Sequence, residues 1–140
     1  MIPSELAPNP LTVETINITS GLCNSYSGTG FMLKNLPSLK SIVIGNECFD
    51  TVRVFELDGL DKLESVVIGY MSFRISDDKR SDGSFRIMNC PKLNSIQIGE
   101  QSFYDYQSFE VNSLSSLQSI DVGVLCFRHS PSFSLTSLID

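Results

Sequence analysis

Tryptophan is absent from this chain, and histidine occurs once, at His129. A lone imidazole leaves catalysis little to work with. A Ser or Cys nucleophile would need it as base, with a third group to orient it, so the chain reads as non-enzymatic. No cysteine or histidine pair has metal-ligand spacing, and neither a metal nor a cofactor is expected. The nearest approach to a calcium loop, Asp78-x-Arg80-x-Asp82-Gly83, puts Arg where a carboxylate belongs and Asn89 where the closing Glu should stand.

Positive charge is scarce as well. Lys and Arg total 10 against 16 acidic residues, a net charge of -6, with no basic run or stripe. That argues against nucleic acid as a partner and disfavours anionic membranes. Long apolar runs are missing too, so no membrane insertion is expected. The opening residues, Met-Ile-Pro-Ser-Glu-Leu-Ala-Pro-Asn-Pro, lack the basic and apolar regions of a signal peptide. The expectation is a soluble protein, cytoplasmic unless it is a fragment of a surface protein.

What the chain does have is repetition. Leu36-Pro-Ser-Leu-Lys-Ser-Ile-Val-Ile-Gly45 returns as Leu60-Asp-Lys-Leu-Glu-Ser-Val-Val-Ile-Gly69, Cys90-Pro-Lys-Leu-Asn-Ser-Ile-Gln-Ile-Gly99 and Leu114-Ser-Ser-Leu-Gln-Ser-Ile-Asp-Val-Gly123. A fixed period of this length marks a solenoid, whose units bury their apolar faces only against their neighbours. The array is expected over 10–140, as repeats 10–35, 36–59, 60–89, 90–113 and 114–137 followed by the start of a truncated one at Leu138. Segment 1–9, with Pro3 and Pro8, reads as a weak cap. An insertion at 74–84 lengthens the third repeat.

Within each unit, Ile42-x-Ile44 and Phe55-x-Leu57 alternate with period two and are rich in β-branched and aromatic types, so each unit should supply two short strands. Nothing in the repeat offers helical periodicity. All nine Phe fall at repeat-fixed positions and read as framework. The Gly45, Gly69, Gly99 and Gly123 column reads as a backbone bend that a side chain would obstruct. These glycines lie a repeat apart, so no single loop collects them into a phosphate cradle.

Of the four cysteines, Cys48 and Cys126 share one slot, filled by Ser72 and Ser102 in between. At about 4.8 Å per strand they are too far apart to pair. Cys90 replaces a core leucine. A Cys23–Cys48 bridge is conceivable, but buried free thiols are the favoured reading.

Leu39-Lys-Ser-Ile-Val-Ile-Gly-Asn-Glu-Cys-Phe49 and its equivalents resemble the core segment of leucine-rich repeats, Leu-x-x-Leu-x-Leu-x-x-Asn-x-Leu. The Ile-Gly-x-x-small-Phe ending is most similar to the BspA-like subgroup, found in bacterial surface proteins and in protists. The resemblance implies a mostly β, right-handed solenoid of roughly five coils with little or no helix. It also implies a concave first sheet and a protein-binding role. One departure stands out: Glu47, Met71, Gln101 and Leu125 replace the usual asparagine, so its ladder is missing. The small column Cys48, Ser72, Ser102 and Cys126 is expected to allow a tighter turn.

Strand alternation leaves two outward columns on the first sheet: Thr15, Ser41, Ser65, Ser95, Ser119, and Asn17, Val43, Val67, Gln97, Asp121. The hydroxyl column suits either binding or cross-strand packing, with packing favoured. Val43 and Val67 would make a small exposed apolar spot. Candidate partner-binding residues are Val43, Val67, Gln97 and Asp121, the flanking Lys40, Glu64, Asn94 and Gln118, and Asp77, Asp78, Lys79 and Arg80 of the insertion. Asn17-Ile-Thr19 is a glycosylation sequon that matters only on secretion. The expected function is a protein–protein interaction module with a protein partner. The alternative is a structural or adhesive segment of a larger cell-surface protein, with end-to-end self-association or continuation in a longer chain.

Overall fold

Short alternating segments punctuated by tight corners cannot bury an apolar face alone, and here each lies on its counterpart one repeat away. The computed structural model describes residues 11–21, 30–75, 83–128 and 132–136. It contains strands β1 (Thr15–Ile18), β2 (Gly30–Leu33), β3 (Ser41–Ile44), β4 (Val54–Asp58) and β5 (Ser65–Ile68). β6 (Gly83–Met88), β7 (Ser95–Ile98), β8 (Tyr106–Asn112), β9 (Ser119–Val122) and β10 (Ser132–Thr136) follow, with no helix among the described residues. Odd strands form one five-stranded sheet, β1-β3-β5-β7-β9, and even strands form the other, β2-β4-β6-β8-β10. All pairs are parallel. The architecture is a β-solenoid, as the repeat predicts. Segment 1–9, Cys23 and Leu138 lie outside the described residues.

The register follows the repeat. Ile16, Ile42, Val66, Ile96 and Ile120 stand opposite one another in turn, and Ile42, Val66 and Ile96 are buried. The phenylalanines build two ring stacks between the sheets. Phe31, Phe55, Phe85 and Phe109 stack at 5.3, 4.9 and 4.9 Å. Phe49, Phe73, Phe103 and Phe127 stack at 5.1, 4.7 and 5.4 Å. The two stacks meet edge to face, as Phe55 does with Phe73 and Phe103. Such pairs add about 0.5–1.5 kcal/mol each beyond area burial.

The corners after the odd strands hold a network that the sequence does not announce. Ser72 Oγ donates to the Gly45 carbonyl at 2.8 Å and accepts from the Cys48 N–H at 3.1 Å. Ser102 Oγ donates to the Gly69 carbonyl at 2.6 Å and accepts from the Ser72 N–H at 3.0 Å. Cys126 Sγ donates to the Gly99 carbonyl at 3.1 Å, and Cys48 Sγ reaches the Thr19 carbonyl at 3.5 Å. The small column therefore carries a ladder of its own, beyond any tightening of the turn. Each serine hydroxyl both donates to and accepts from the coil before it, satisfying buried backbone groups.

Two further details refine the sequence reading. The glycine column answers a close approach between coils: a Cβ on Gly99 would stand 2.7 Å from both the Gly69 carbonyl carbon and the Tyr70 nitrogen, and one on Gly123 would stand 2.6 Å from the Glu100 nitrogen. The left-handed bend itself falls two residues later, on Glu47, Met71, Gln101 and Leu125, at φ of 57°, 59°, 61° and 64°. Their backbone N–H groups point forward to the next coil: Glu47 donates to the Tyr70 carbonyl at 2.9 Å, Met71 to Glu100 at 3.0 Å and Gln101 to Val124 at 3.0 Å. That interlock holds non-glycine residues in a conformation otherwise costing about 1–2 kcal/mol.

The insertion is anchored at both feet. Ile75 is buried, and Gly83 opens β6 where a Cβ would press within 2.6 Å of the Tyr106 ring and 2.8 Å of Ile75 Cδ1. Across that gap Tyr106 donates its hydroxyl to the Val52 carbonyl at 2.7 Å, spanning the coil that carries the extra residues.

Candidate functional site

The outward columns of the β1-β3-β5-β7-β9 sheet lie as alternation predicts. Thr15, Ser41, Ser65, Ser95 and Ser119 share one register, and Asn17, Val43, Val67, Gln97 and Asp121 share another. Gln97 and Asp121 are exposed. Val43 and Val67 are directly paired but half-covered, a correction to the expected exposed spot: their neighbours on the sheet shield part of each. In the hydroxyl column, Ser41 Oγ donates to Thr15 Oγ1 at 3.4 Å, a cross-strand contact of the packing kind.

Lys40, Glu64, Asn94 and Gln118 flank these columns and are exposed. Their backbones form a rail: Lys40 donates to the Glu14 carbonyl, Glu64 to Lys40, Asn94 to Glu64 and Gln118 to Asn94, at 2.8–2.9 Å. Lys40 Nζ sits 3.7 Å from Glu14 Oε1, with both side chains more than half exposed. A pair like that contributes little in water. Eight of the twelve candidate residues thus share one face, with Lys40, Glu64, Gln97 and Asp121 placing charge and amide groups around two valines. Asp77, Asp78, Lys79 and Arg80 lie outside the described residues, as does His129.

Thiol chemistry has little foothold among the described residues. Cys90 and Cys126 carry free thiols, and burial pushes both up, away from the reactive thiolate. Among the described residues no three His, Cys, Asp or Glu side chains gather as a metal site, and no helix is long and apolar enough to cross a membrane.

A second cluster escaped the sequence reading. Immediately after Phe73, Phe103 and Phe127 come Arg74, Tyr104 and Arg128, one per successive coil. The guanidinium carbon of Arg74 lies 5.2 Å from the Tyr104 ring centroid, and that of Arg128 lies 4.8 Å from it. Arg128 Nη1 donates to the Tyr104 hydroxyl. The signal available was positional, the slot after each corner phenylalanine, and Arg74 was hidden by its place at the head of the insertion.

No family model, curated protein or solved structure matches this chain.

Proposed function

We propose that the chain is a non-enzymatic protein–protein interaction module of the leucine-rich-repeat kind, nearest the BspA-like pattern, which engages a protein partner through the outer face of the odd-numbered sheet. One observation supports this above the others. The inward columns repeat nearly unchanged, whereas the adjacent outward column varies as Asn17, Val43, Val67, Gln97 and Asp121 in strict register. A constant frame carrying a varied face suits recognition, because affinity and specificity then depend on surface residues that do not alter the core. In this reading the coils wind right-handed, about five in number, with that sheet concave.

The test is a double substitution, Val43→Glu with Val67→Glu, in a chain whose β spectrum is unchanged. Partner recovery should fall, and undiminished recovery overturns the assignment of this face. A structural or adhesive role in a larger surface protein is the second reading. It draws on β1 and β9, each of which pairs on one side only among the described strands and offers its other edge to a further coil. Sedimentation over a concentration series tests that edge: end-to-end stacking gives mass growing with concentration, and a constant monomer mass removes self-association.

A further inference from the structure

We infer that the corner formed by Arg74, Tyr104 and Arg128 binds an extended acidic segment of a partner protein, one that carries apolar side chains beside its carboxylates. The inference rests on the protein-binding reading above but places a contact on a different surface.

The first support is an imbalance of charge pairing. Arg86 on β6 has Glu56 at 3.7 Å and Glu110 at 3.2 Å. Among the described residues neither Arg74 nor Arg128 has a carboxylate within ion-pair distance, although acids outnumber bases in the chain. Arg74 Nε is moreover buried and donates to no acceptor. That leaves the terminal nitrogens of its guanidinium as the donors a partner could reach. The tyrosine ring between the two arginines restrains both guanidiniums, which lowers the ordering cost when an anion arrives.

The second support is what surrounds them. Guanidinium forks match carboxylates bidentately. Arg74 and Arg128 stand two coils apart, about 10 Å at strand spacing, so a chain running along the solenoid axis meets both. Tyr70, Val124 and Leu125, on the same turns three or four residues earlier, are exposed at 44%, 68% and 48%. They give such a chain apolar contacts that a phosphate or sulfate polymer would not use, while the exposed Glu100, in the slot between Tyr70 and Val124, confines its carboxylates to the arginine side. A nucleic-acid backbone would also need a longer run of cations than these two. On the far side stands Asp50, whose carboxyl is held up by burial against the downward pull of Arg74. It fences the corner and disfavours a second anion there.

The probe is a fluorescein-labelled synthetic peptide of Glu, Leu and Ser, read by anisotropy at low salt, with its Lys-for-Glu counterpart as control. Heparin oligosaccharide and single-stranded DNA serve as the competing polyanions. The Glu peptide should bind and the Lys peptide should not. Arg128→Gln, at an exposed position where folding is not at stake, should weaken binding about threefold to fivefold, and Arg74→Gln similarly. Asp50→Asn should tighten it about twofold, while the Val43→Glu, Val67→Glu protein should bind unchanged. Equal affinity of the parent and the Arg128→Gln protein, or no binding of the Glu peptide, overturns the inference. Binding of heparin or DNA alone overturns it in favour of that polymer. Loss only in the valine variant returns the contact to the sheet, leaving the broader protein-binding reading standing without the corner.

Discussion

Replacing Ser102 with alanine tests the hydroxyl ladder at its centre. Ser102 is buried, its Oγ taking the Ser72 N–H at 3.0 Å and giving its proton to the Gly69 carbonyl at 2.6 Å. Alanine fits the space but removes both contacts, leaving a buried donor and a buried acceptor, the Ser72 N–H and the Gly69 carbonyl, on the preceding coil. Each such group costs about 1–3 kcal/mol, and partial relaxation puts the sum at roughly 2–4 kcal/mol. Cysteine at the same position supplies a weaker version of the contact, since Cys126 Sγ already donates to the Gly99 carbonyl at 3.1 Å. Its sulfur accepts poorly from an N–H, so Ser102→Cys should fall between wild type and alanine. Urea unfolding of the three proteins, followed by circular dichroism at one pH, gives the order directly. An alanine variant within about 0.5 kcal/mol of wild type, or a cysteine variant less stable than alanine, refutes the ladder as a source of stability.

The other predictions concern neighbouring contacts. Gly99→Ala sets a methyl against backbone that cannot rotate away and should cost about 3 kcal/mol or more, or prevent folding; a near-neutral result in urea would deny the close approach. In the opposite direction, the Ser102 N–H now settles for the Gly99 carbonyl at 3.3 Å. Cys126→Ser offers that N–H a hydroxyl and should raise stability by about 0.5–1.5 kcal/mol, and a lower urea midpoint than wild type would count against it. Burial pushes the Tyr106 hydroxyl well above its ordinary value of 10.0, against a smaller downward pull from Arg53. The folded chain therefore holds this proton after the unfolded chain has released it, so the contribution is complete below pH 10 and declines as pH rises beyond. Tyr106→Phe should lose about 1 kcal/mol at neutral pH, where the bond to the Val52 carbonyl is gone, and should flatten the alkaline decline. A parallel alkaline decline in both proteins would remove Tyr106 as its cause.

Strand identity and register were readable because both are written locally: β-branched and aromatic residues alternate at Ile42-x-Ile44 and Phe55-x-Leu57, and four aligned copies leave one way to stack them. The outward placement of Gln97 and Asp121 follows from the same alternation. What lay out of reach depends on atoms a full period apart. Ser72 and Ser102 look like size substitutions of Cys48 and Cys126 until the carbonyls of Gly45 and Gly69 are seen beneath them. The left-handed bends at Glu47, Met71 and Gln101 carry no glycine to announce them, because hydrogen bonds to the next coil hold them. Arg74 and Arg128 are far apart along the chain and meet only through Tyr104. Val43 and Val67 were correctly placed on the outer face, yet pairing across β3 and β5 covers part of each.

The bridging serines give this protein a grammar for growth and loss of length. Because every rung joins equivalent atoms of adjacent turns, excising 90–113 would bring Ser72 beneath Cys126 and Phe73 beneath Phe127, like onto like. A cut one residue shorter or longer would set rings against hydroxyls at that junction. Evolution by duplication of whole units is therefore cheap here, and evolution by small insertions is confined to places such as the stretch between Ile75 and Gly83, where the frame resumes before the next ring must be seated.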